Sequence, residues 1–230
     1  MAVILMFDAG GCSAPRLYEL LVALGNEVRV VDQSFSAEDA LRALGDADAL
    51  ALGGRRRASS ASDRIATALL RAARSAGMPA LGVCYGAQLI NNSLGGTLEL
   101  MGERLRGLNP VRVDRSDPAF SGLPSDVARF YEARARRIRR LAPGLRELAR
   151  SEAGGIEAFS GDGLYGFMFH PELSGGAGVI VMRGALGALM GGRAPARRGR
   201  GGPPPPARRR RAPCPRPGRR RRTWARCPPL

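Results

Sequence analysis

Residues 81–88 read Leu-Gly-Val-Cys-Tyr-Gly-Ala-Gln and decide the fold, because they mark a turn from a buried strand into a helix. The form Gly-x-Cys-x-Gly is that of a nucleophile elbow, in which glycines relieve crowding at a sharp turn and the nucleophile projects from the end of a sheet. A helix that begins just after Cys84 points amide N–H groups at the sulfur and favours the thiolate. A buried structural cysteine is the alternative, but the flanking glycines favour the elbow.

Upstream of Cys84, short apolar runs alternate with segments of helical periodicity that are followed by glycine. The pattern predicts strands at Val3–Phe7, Glu27–Val31, Ala49–Leu52 and Pro79–Val83, and helices at Ala14–Leu24, Ala37–Leu44 and Ser62–Ser75. A fourth helix is predicted to begin after Cys84. This alternation of strand and helix predicts a doubly wound parallel sheet.

Residues 97–158 change character and carry short alternating runs, which predict antiparallel strands added at one edge of the sheet. These strands are predicted at Thr97–Leu100, Val111–Asp114, Val127–Tyr131, Arg136–Arg140, Arg146–Arg150 and Ile156–Phe159. Tyr165–Phe169 is predicted to return to the core sheet, and Ala177–Met190 to form a closing helix. The predicted fold class is therefore α/β, with an open, doubly wound, mostly parallel sheet and an antiparallel edge.

His170 is the only histidine of the chain and lies in Phe-Met-Phe-His-Pro-Glu-Leu, residues 167–173. A lone histidine at a strand end is often a packing residue, but here it is paired with an elbow cysteine upstream. Glu172, two residues further on, can accept the imidazole N–H and fix its tautomer and orientation. The sequence therefore predicts a Cys-His-Glu catalytic triad of Cys84, His170 and Glu172.

A Gly-Gly pair at residues 53–54 follows a predicted strand at the same end of the sheet. Such a loop can turn backbone N–H groups toward a developing oxyanion. The N–H groups of Gly54 and Tyr85 are the predicted donors. Taken alone, this pair is equally typical of an ordinary tight turn.

The net charge of +16 belongs almost entirely to the end of the chain. Residues 193–230 contain 14 arginines and no acidic residue, which leaves a charge of +2 on residues 1–192. Segments so rich in arginine, proline and glycine cannot bury enough apolar surface to offset the entropy of ordering. We therefore expect one domain over residues 1–192, followed by a disordered tail over residues 193–230.

The four cysteines, Cys12, Cys84, Cys214 and Cys227, are scattered and lack the paired spacing of a metal site, so no metal is predicted. The apolar start of the chain is predicted to be a buried strand rather than a signal peptide. No run of about 18 apolar residues is present, so no membrane span is expected. A cytoplasmic protein with reduced thiols fits these features.

The two motifs together resemble class I glutamine amidotransferases, which carry a Cys-His-Glu triad. Gly-Val-Cys-Tyr-Gly-Ala-Gln is most similar to the glutaminase subunit of GMP synthetase, and the similarity runs in order over about residues 1–190. The resemblance implies the family's flavodoxin-like α/β fold. It also implies that Cys84 attacks the carboxamide of L-glutamine, that Gln88 helps to bind that substrate, and that His170 protonates the departing ammonia.

The resemblance also implies a partner. The sequence lacks an ATP-pyrophosphatase signature such as Ser-Gly-Gly-Val-Asp-Ser, so the chain is expected to be a separate glutaminase subunit. Its partner would be the ATP-pyrophosphatase subunit of GMP synthetase, which aminates XMP to GMP. ATP and magnesium are expected on that partner, and no cofactor is expected in this chain.

Two segments depart from the family pattern. Gly53-Gly54 is followed by three arginines, where the family has Gly-Gly-Pro, and these arginines are expected to form a solvated loop or an interface. The second departure is Glu132-Ala133-Arg134-Ala135-Arg136, where the family has Glu-Ser-His-x-Asp. In the family this segment borders the glutamine pocket and faces the synthetase, so the changes at Ala133, Arg134 and Arg136 bear on glutamine binding and on docking.

Two alternatives remain open at this stage. One is an amidotransferase-fold relative that keeps the triad but has a different acceptor partner or impaired activity, which the basic loops favour. The other is a nucleic-acid-binding protein that acts through its arginine-rich tail, because such arms bind phosphate backbones. Against the second alternative, the tail holds a single aromatic residue for base stacking, Trp224.

Overall fold

The computed structural model describes residues 1–191 of the 230-residue chain. The predicted tail over residues 193–230 lies outside the described residues. Across residues 1–191, no helix combines the length and the apolarity that a membrane crossing requires.

Five parallel strands form one half of a nine-stranded sheet. In spatial order they are β2 (Glu27–Asp32), β1 (Val3–Asp8), β3 (Ala49–Leu52), β4 (Ala80–Val83) and β9 (Leu164–Phe167). The helices are α1 (Ala14–Ala23), α2 (Ala37–Gly45), α3 (Ser60–Ser75), α4 (Tyr85–Ser93) and α5 (Gly175–Gly191). The α/β class predicted from the sequence is confirmed.

Strands β1, β3, β4 and β9 are buried on both faces, which explains why they are almost continuously apolar, whereas the edge strand β2 is only partly buried. One buried cluster lies between the sheet and two helices, and it includes Leu17 and Leu21 of α1 with Val181 and Met182 of α5. The cluster on the opposite face includes Leu44 of α2, Leu69 of α3 and Ile90 of α4. Two separate cores on the two sides of one sheet are the arrangement that a doubly wound topology requires.

The antiparallel half contains β5 (Thr97–Val113), β6 (Val127–Arg140), β7 (Arg146–Ser151) and β8 (Gly155–Gly161). β8 pairs with β9 and joins this half to the parallel strands. The spatial order continues as β8, β6, β5 and β7, and β7 pairs with β8 as well. The four antiparallel strands therefore form a closed ring of pairings, β8–β6–β5–β7–β8.

The structure corrects the lengths of two strands. The sequence predicted two short strands within residues 97–114 and two more within residues 127–140, but each region forms one long strand. An irregularity at residues 101–104 of β5 interrupts the pairing without ending the strand, because pairing resumes at Leu105 opposite Arg134. On β6, the charged residues that break the apolar alternation are buried with partners, as described below.

Candidate active site

Cys84 lies at the turn between β4 and α4 in a strained backbone conformation. Its φ is 52°, and it is the one non-glycine residue with positive φ in the described part of the chain. A Cβ on Gly82 would come within 2.5 Å of the Gly86 carbonyl carbon, and a Cβ on Gly86 would meet the Leu52 carbonyl oxygen. Both glycines are thus required for the tight turn. Strain of this kind concentrates at functional sites, as the elbow motif predicts.

His170 follows β9 and begins a single 3-10 turn, Pro171–Leu173. Its Nδ1 lies 2.8 Å from Oε1 of Glu172, and both side chains are almost fully buried. The backbone N–H of His170 donates to the carbonyl of Tyr131 at 2.7 Å and fixes the approach of the chain. With Nδ1 engaged by the carboxylate, Nε2 is left for the thiol.

The electrostatics of His170 suit a cysteine partner. Burial by itself lowers the pKa of the imidazole, but the hydrogen bond to Cys84 and the hydrogen bond and charge of Glu172 outweigh burial and raise the pKa to about 10. His170 therefore keeps its proton at neutral pH beside the cysteine. This is the form in which a cysteine–histidine pair attacks as thiolate and donates a proton to a leaving group.

Ser13 is a site residue that the sequence reasoning missed. Its Oγ lies 3.3 Å from Nδ1 of His170, and the residue is buried at the exit of β1. Cys12, the residue before Ser13, is exposed. The signal that could have pointed to Ser13 is topological, because the β1 exit lies at the same sheet end as Cys84.

The Gly-Gly loop lies directly against Cys84 and His170. A Cβ on Gly54 would lie 3.1 Å from Cε1 of His170 and 3.7 Å from Cβ of Cys84. The β1 exit supports this loop from the other side, since a Cβ on Gly11 would come within 2.5 Å of the Gly54 carbonyl oxygen. Tyr85 is the first residue of α4 and follows Cys84 directly. The two predicted oxyanion donors are thus adjacent to the nucleophile, and their role stays a prediction.

Gln88 lies one helical turn beyond Cys84 and is partly buried. Its backbone N–H donates to the Cys84 carbonyl at 3.0 Å. Its predicted role in substrate binding stays a prediction.

Comparison with known proteins decides the family. Residues 5–181 match the family described as Glutamine amidotransferase class-I. The chain belongs to the class I glutamine amidotransferase family.

The relatives that match this chain include two proteins named GMP synthase [glutamine-hydrolyzing]. The one from Pyrococcus abyssi, named as a single subunit of that enzyme, is 29% identical over 174 residues, covering 75% of this chain and 90% of that protein. The one from Thermomicrobium roseum is 37% identical over 118 residues, covering 50% of this chain but only 22% of that protein. This chain therefore spans most of the length of the first relative and less than a quarter of the second.

A solved structure supports the fold. The crystal structure of a protein from Thermoplasma acidophilum, titled as one subunit of a GMP synthase, superposes on this chain with a TM-score of 0.72. It is 24% identical, and the superposition covers 82% of this chain and 94% of that one.

Class I glutamine amidotransferase domains need no cofactor. Within residues 1–191, no group of three or more His, Cys, Asp or Glu side chains is arranged to hold a metal ion.

The arginine run after Gly54 is not uniformly solvated, which corrects the sequence expectation. Arg56 and Arg57 are exposed, but the Arg55 side chain is only 25% exposed. Its guanidinium lies over the ring of Tyr85 and pairs with Asp63. Asp63 was missed by the sequence reasoning, because it is a first-turn acid of α3 and such residues usually face solvent.

Arg134 is buried in the amidotransferase core, whereas the resemblance placed this position along the glutamine pocket. Its side chain is 1% exposed and donates two hydrogen bonds to Glu157, at 3.1 and 2.6 Å. The same guanidinium lies 2.8 Å from Glu132, and Ser151 donates to Glu157 at 2.5 Å. We refer to Glu132, Arg134, Ser151 and Glu157 as the buried ionic cluster.

The two carboxylates of this cluster carry more negative charge than one arginine can balance. Burial, followed by the charge of Glu157, raises the pKa of Glu132 to about 7 despite the opposing effect of Arg134. Burial also raises the pKa of Glu157. A proton is therefore retained in the cluster below neutral pH.

Unlike Arg134, two nearby residues of β6 are exposed to solvent. Ala133 and Arg136 are exposed, and Arg136 pairs with Leu100 across the β5–β6 ladder. Strand alternation places Ala133 on the same side as Tyr131, whose ring centroid lies 6.5 Å from that of His170. Of the replaced residues, Ala133 is thus the one that shares a face of β6 with Tyr131.

Proposed function

We propose that this chain is a glutaminase that hydrolyses L-glutamine through a thioester on Cys84 and delivers the ammonia to a separate synthetase subunit. The observation that carries the proposal is the position of Cys84, in a strained elbow with φ of 52°, against a His170 that Glu172 holds at 2.8 Å. A packing cysteine needs neither the strained turn nor the buried carboxylate behind the histidine.

In this mechanism the Cys84 thiolate attacks the side-chain carboxamide carbon of glutamine, forming a carbon–sulfur bond. The tetrahedral oxyanion accepts hydrogen bonds from the N–H groups of Gly54 and Tyr85. His170 gives its proton to the departing amine, and the carbon–nitrogen bond breaks to release ammonia. His170 then takes a proton from water, whose oxygen attacks the thioester and yields glutamate and the free thiol.

The proposed acceptor reaction is the amination of XMP to GMP by an ATP-pyrophosphatase subunit, with ATP and magnesium bound there. The support comes from relatives that are named as one subunit of GMP synthase, one of which matches this chain over 90% of its own length. We place the reaction in the cytoplasm, where the Cys84 thiol stays reduced.

The test measures glutamate release from glutamine by the purified full chain, alone and with a GMP synthetase ATP-pyrophosphatase subunit, XMP, ATP and magnesium. Release that disappears in Cys84→Ala and rises with the synthetase, together with formation of GMP, is the expected result. Cys12→Ala serves as the matched control, because Cys12 is also a free thiol in the parallel half of the fold but is exposed.

Different outcomes contradict different parts of the proposal. A folded wild-type chain that releases no glutamate under either condition refutes the glutaminase function. Release that depends on Cys84 but never yields GMP refutes the acceptor and leaves a glutaminase that serves another partner. Equal loss of activity in Cys12→Ala and Cys84→Ala refutes the assignment of the nucleophile.

A further inference from the structure

Three side chains from three different segments meet beside the oxyanion loop. The guanidinium carbon of Arg55 lies 4.0 Å from the ring centroid of Tyr85, and its Nη1 lies 2.5 Å from Oδ1 of Asp63. The Tyr85 hydroxyl donates to the same Oδ1 at 2.5 Å. Arg55 belongs to the β3–α3 loop, Asp63 to the first turn of α3 and Tyr85 to the start of α4. We refer to Arg55, Asp63 and Tyr85 as the latch.

The latch connects the loop that follows Gly54 to the residue that follows Cys84. Arg55 directly follows Gly54, whose N–H group is one proposed oxyanion donor. Tyr85 directly follows Cys84, and its own N–H group is the other proposed donor. A Gly-Gly segment has more backbone freedom than any other dipeptide. On the side before Gly54, the N–H of Gly53 is held by the Phe7 carbonyl at 3.1 Å, so a restraint after Gly54 would fix the segment from its other side.

The charges and protonation states of the latch are mutually consistent. Burial, followed by the hydrogen bond to Asp63, raises the pKa of the Tyr85 hydroxyl, so it stays protonated and continues to donate. Asp63 accepts from a neutral phenol and from a cation, and the flat guanidinium can stack on the ring while its edge faces the carboxylate. Lysine could keep the charge but not this combined geometry.

We propose that the latch positions the Gly54 amide for glutamine hydrolysis, with Arg55 as a positioning residue in place of the proline of the family's Gly-Gly-Pro pattern. A proline restricts the backbone through its ring. Here a side-chain contact across the loop restricts the same segment. The inference rests on the proposed glutaminase function, since its consequence is a better-placed oxyanion donor.

The kinetic test uses Tyr85→Phe, which removes only the hydroxyl, and Arg55→Met, which keeps the length of the side chain but removes the guanidinium. Each variant is expected to lower kcat for glutamine hydrolysis about 10-fold with little change in KM, because the oxyanion exists only after attack. The double variant is expected to be no worse than either single variant, because both break one unit. Arg56→Met, at an exposed neighbouring arginine, is expected to stay within about twofold of wild type.

Two readouts separate positioning from general damage. Alkylation of Cys84, followed on its own peptide by mass spectrometry because Cys12 is an exposed thiol as well, counts active sites, so a lower kcat per titrated Cys84 excludes partial unfolding. Arg55→Lys should recover only part of the lost kcat, because an ammonium pairs with Asp63 but does not stack in the same way. Multiplicative losses near 100-fold in the double variant, or losses confined to KM, would overturn the latch.

Amide hydrogen exchange tests the latch without any catalytic readout. Exchange at residues 53–57 is expected to be faster in Tyr85→Phe and Arg55→Met than in wild type, with exchange in β1 unchanged. If wild type proves inactive on glutamine, the proposed function fails, while unchanged exchange at residues 53–57 separately refutes the latch.

Discussion

Arg55 and Arg134 both stand where the family pattern has other residues, but they lie in opposite environments. Arg134 is buried between two carboxylates, with 1% of its side chain exposed. Arg55 lies at the rim of the site, with 25% of its side chain exposed and a partner, Asp63, that is 46% exposed. We expect burial, more than the type of contact, to decide whether an ion pair supports the fold or only local order.

Burial changes the energetic role because charge is costly away from water. The carboxylates of Glu132 and Glu157 are fully buried, so they depend on Arg134 and on shared protons for compensation. Asp63 can be solvated if Arg55 leaves it, so the Arg55 pair contributes little to global stability. The proposed role of the Arg55–Asp63 pair is to hold the loop that follows Gly54 beside Cys84.

The largest effect is predicted for Arg134→Met, which leaves two buried carboxylates without a cation. The free energy of unfolding should fall by about 3–5 kcal/mol, as when one partner of a buried ion pair is removed. Urea unfolding at pH 7.5 measures this loss, because this pH lies above the pKa of about 7 that Glu132 has in the wild-type chain.

Arg136→Met is the matched control for Arg134→Met, because Arg136 lies two residues further along β6 and is exposed. Its change should stay within about 0.5 kcal/mol. Similar losses in the two variants would mean that the buried ionic cluster does not carry the stability assigned to it.

A smaller effect, with a defined pH window, is predicted for Glu132. Its native pKa is about 7 against an ordinary value of 4.5, so between these values the folded chain holds a proton that the unfolded chain releases. The free energy of unfolding therefore falls as pH rises from 4.5 to 7, by up to about 3 kcal/mol. Glu132→Gln should flatten this decline, because a neutral Arg134–Glu157 pair remains.

His170 supplies an internal reference for the same titration. Its pKa is raised from 6.5 to about 10, so its contribution to stability is complete below pH 6.5 and is lost as pH rises toward 10. Glu132→Gln should leave this second decline in place. Urea unfolding at pH 5, 6, 7, 8 and 9 resolves the two windows, and an unchanged slope between pH 5 and 7 would show that Glu132 is not the group responsible.

The sequence predicted the parts of the molecule that local pattern controls. Apolar runs such as Val3–Phe7 and Ala49–Leu52 have one stable place, the middle of a covered parallel sheet. Cys84 was predictable because the strained turn demands Gly82 and Gly86 beside it in the chain. The contact between His170 and Glu172 was predictable because the two residues are two positions apart and lie on one turn, while their catalytic role stays a prediction.

The features that the sequence did not predict depend on contacts between distant segments. Ser13 meets His170 across 157 positions, and no local pattern marks a serine at a strand exit as part of a site. The burial of Arg134 could not be predicted, because its carboxylate partner Glu157 is contributed by another strand, β8. The length of β6 was missed for the same reason, since paired charges replace the apolar residues that signal a buried strand.

Among the residues with an assigned role, Arg55 is predicted to contribute least to stability, as the variant Arg55→Met should show. A partly exposed pair with a stacked ring is worth about 0.5–1 kcal/mol, because water can solvate both charges once they separate. Urea unfolding should therefore place this variant within about 1 kcal/mol of wild type, although its kcat falls about 10-fold if the latch positions Gly54. A loss near that of Arg134→Met would mean that Arg55 supports the fold itself, and the contrast between a rim arginine that orders a loop and a core arginine that neutralises buried charge would no longer hold.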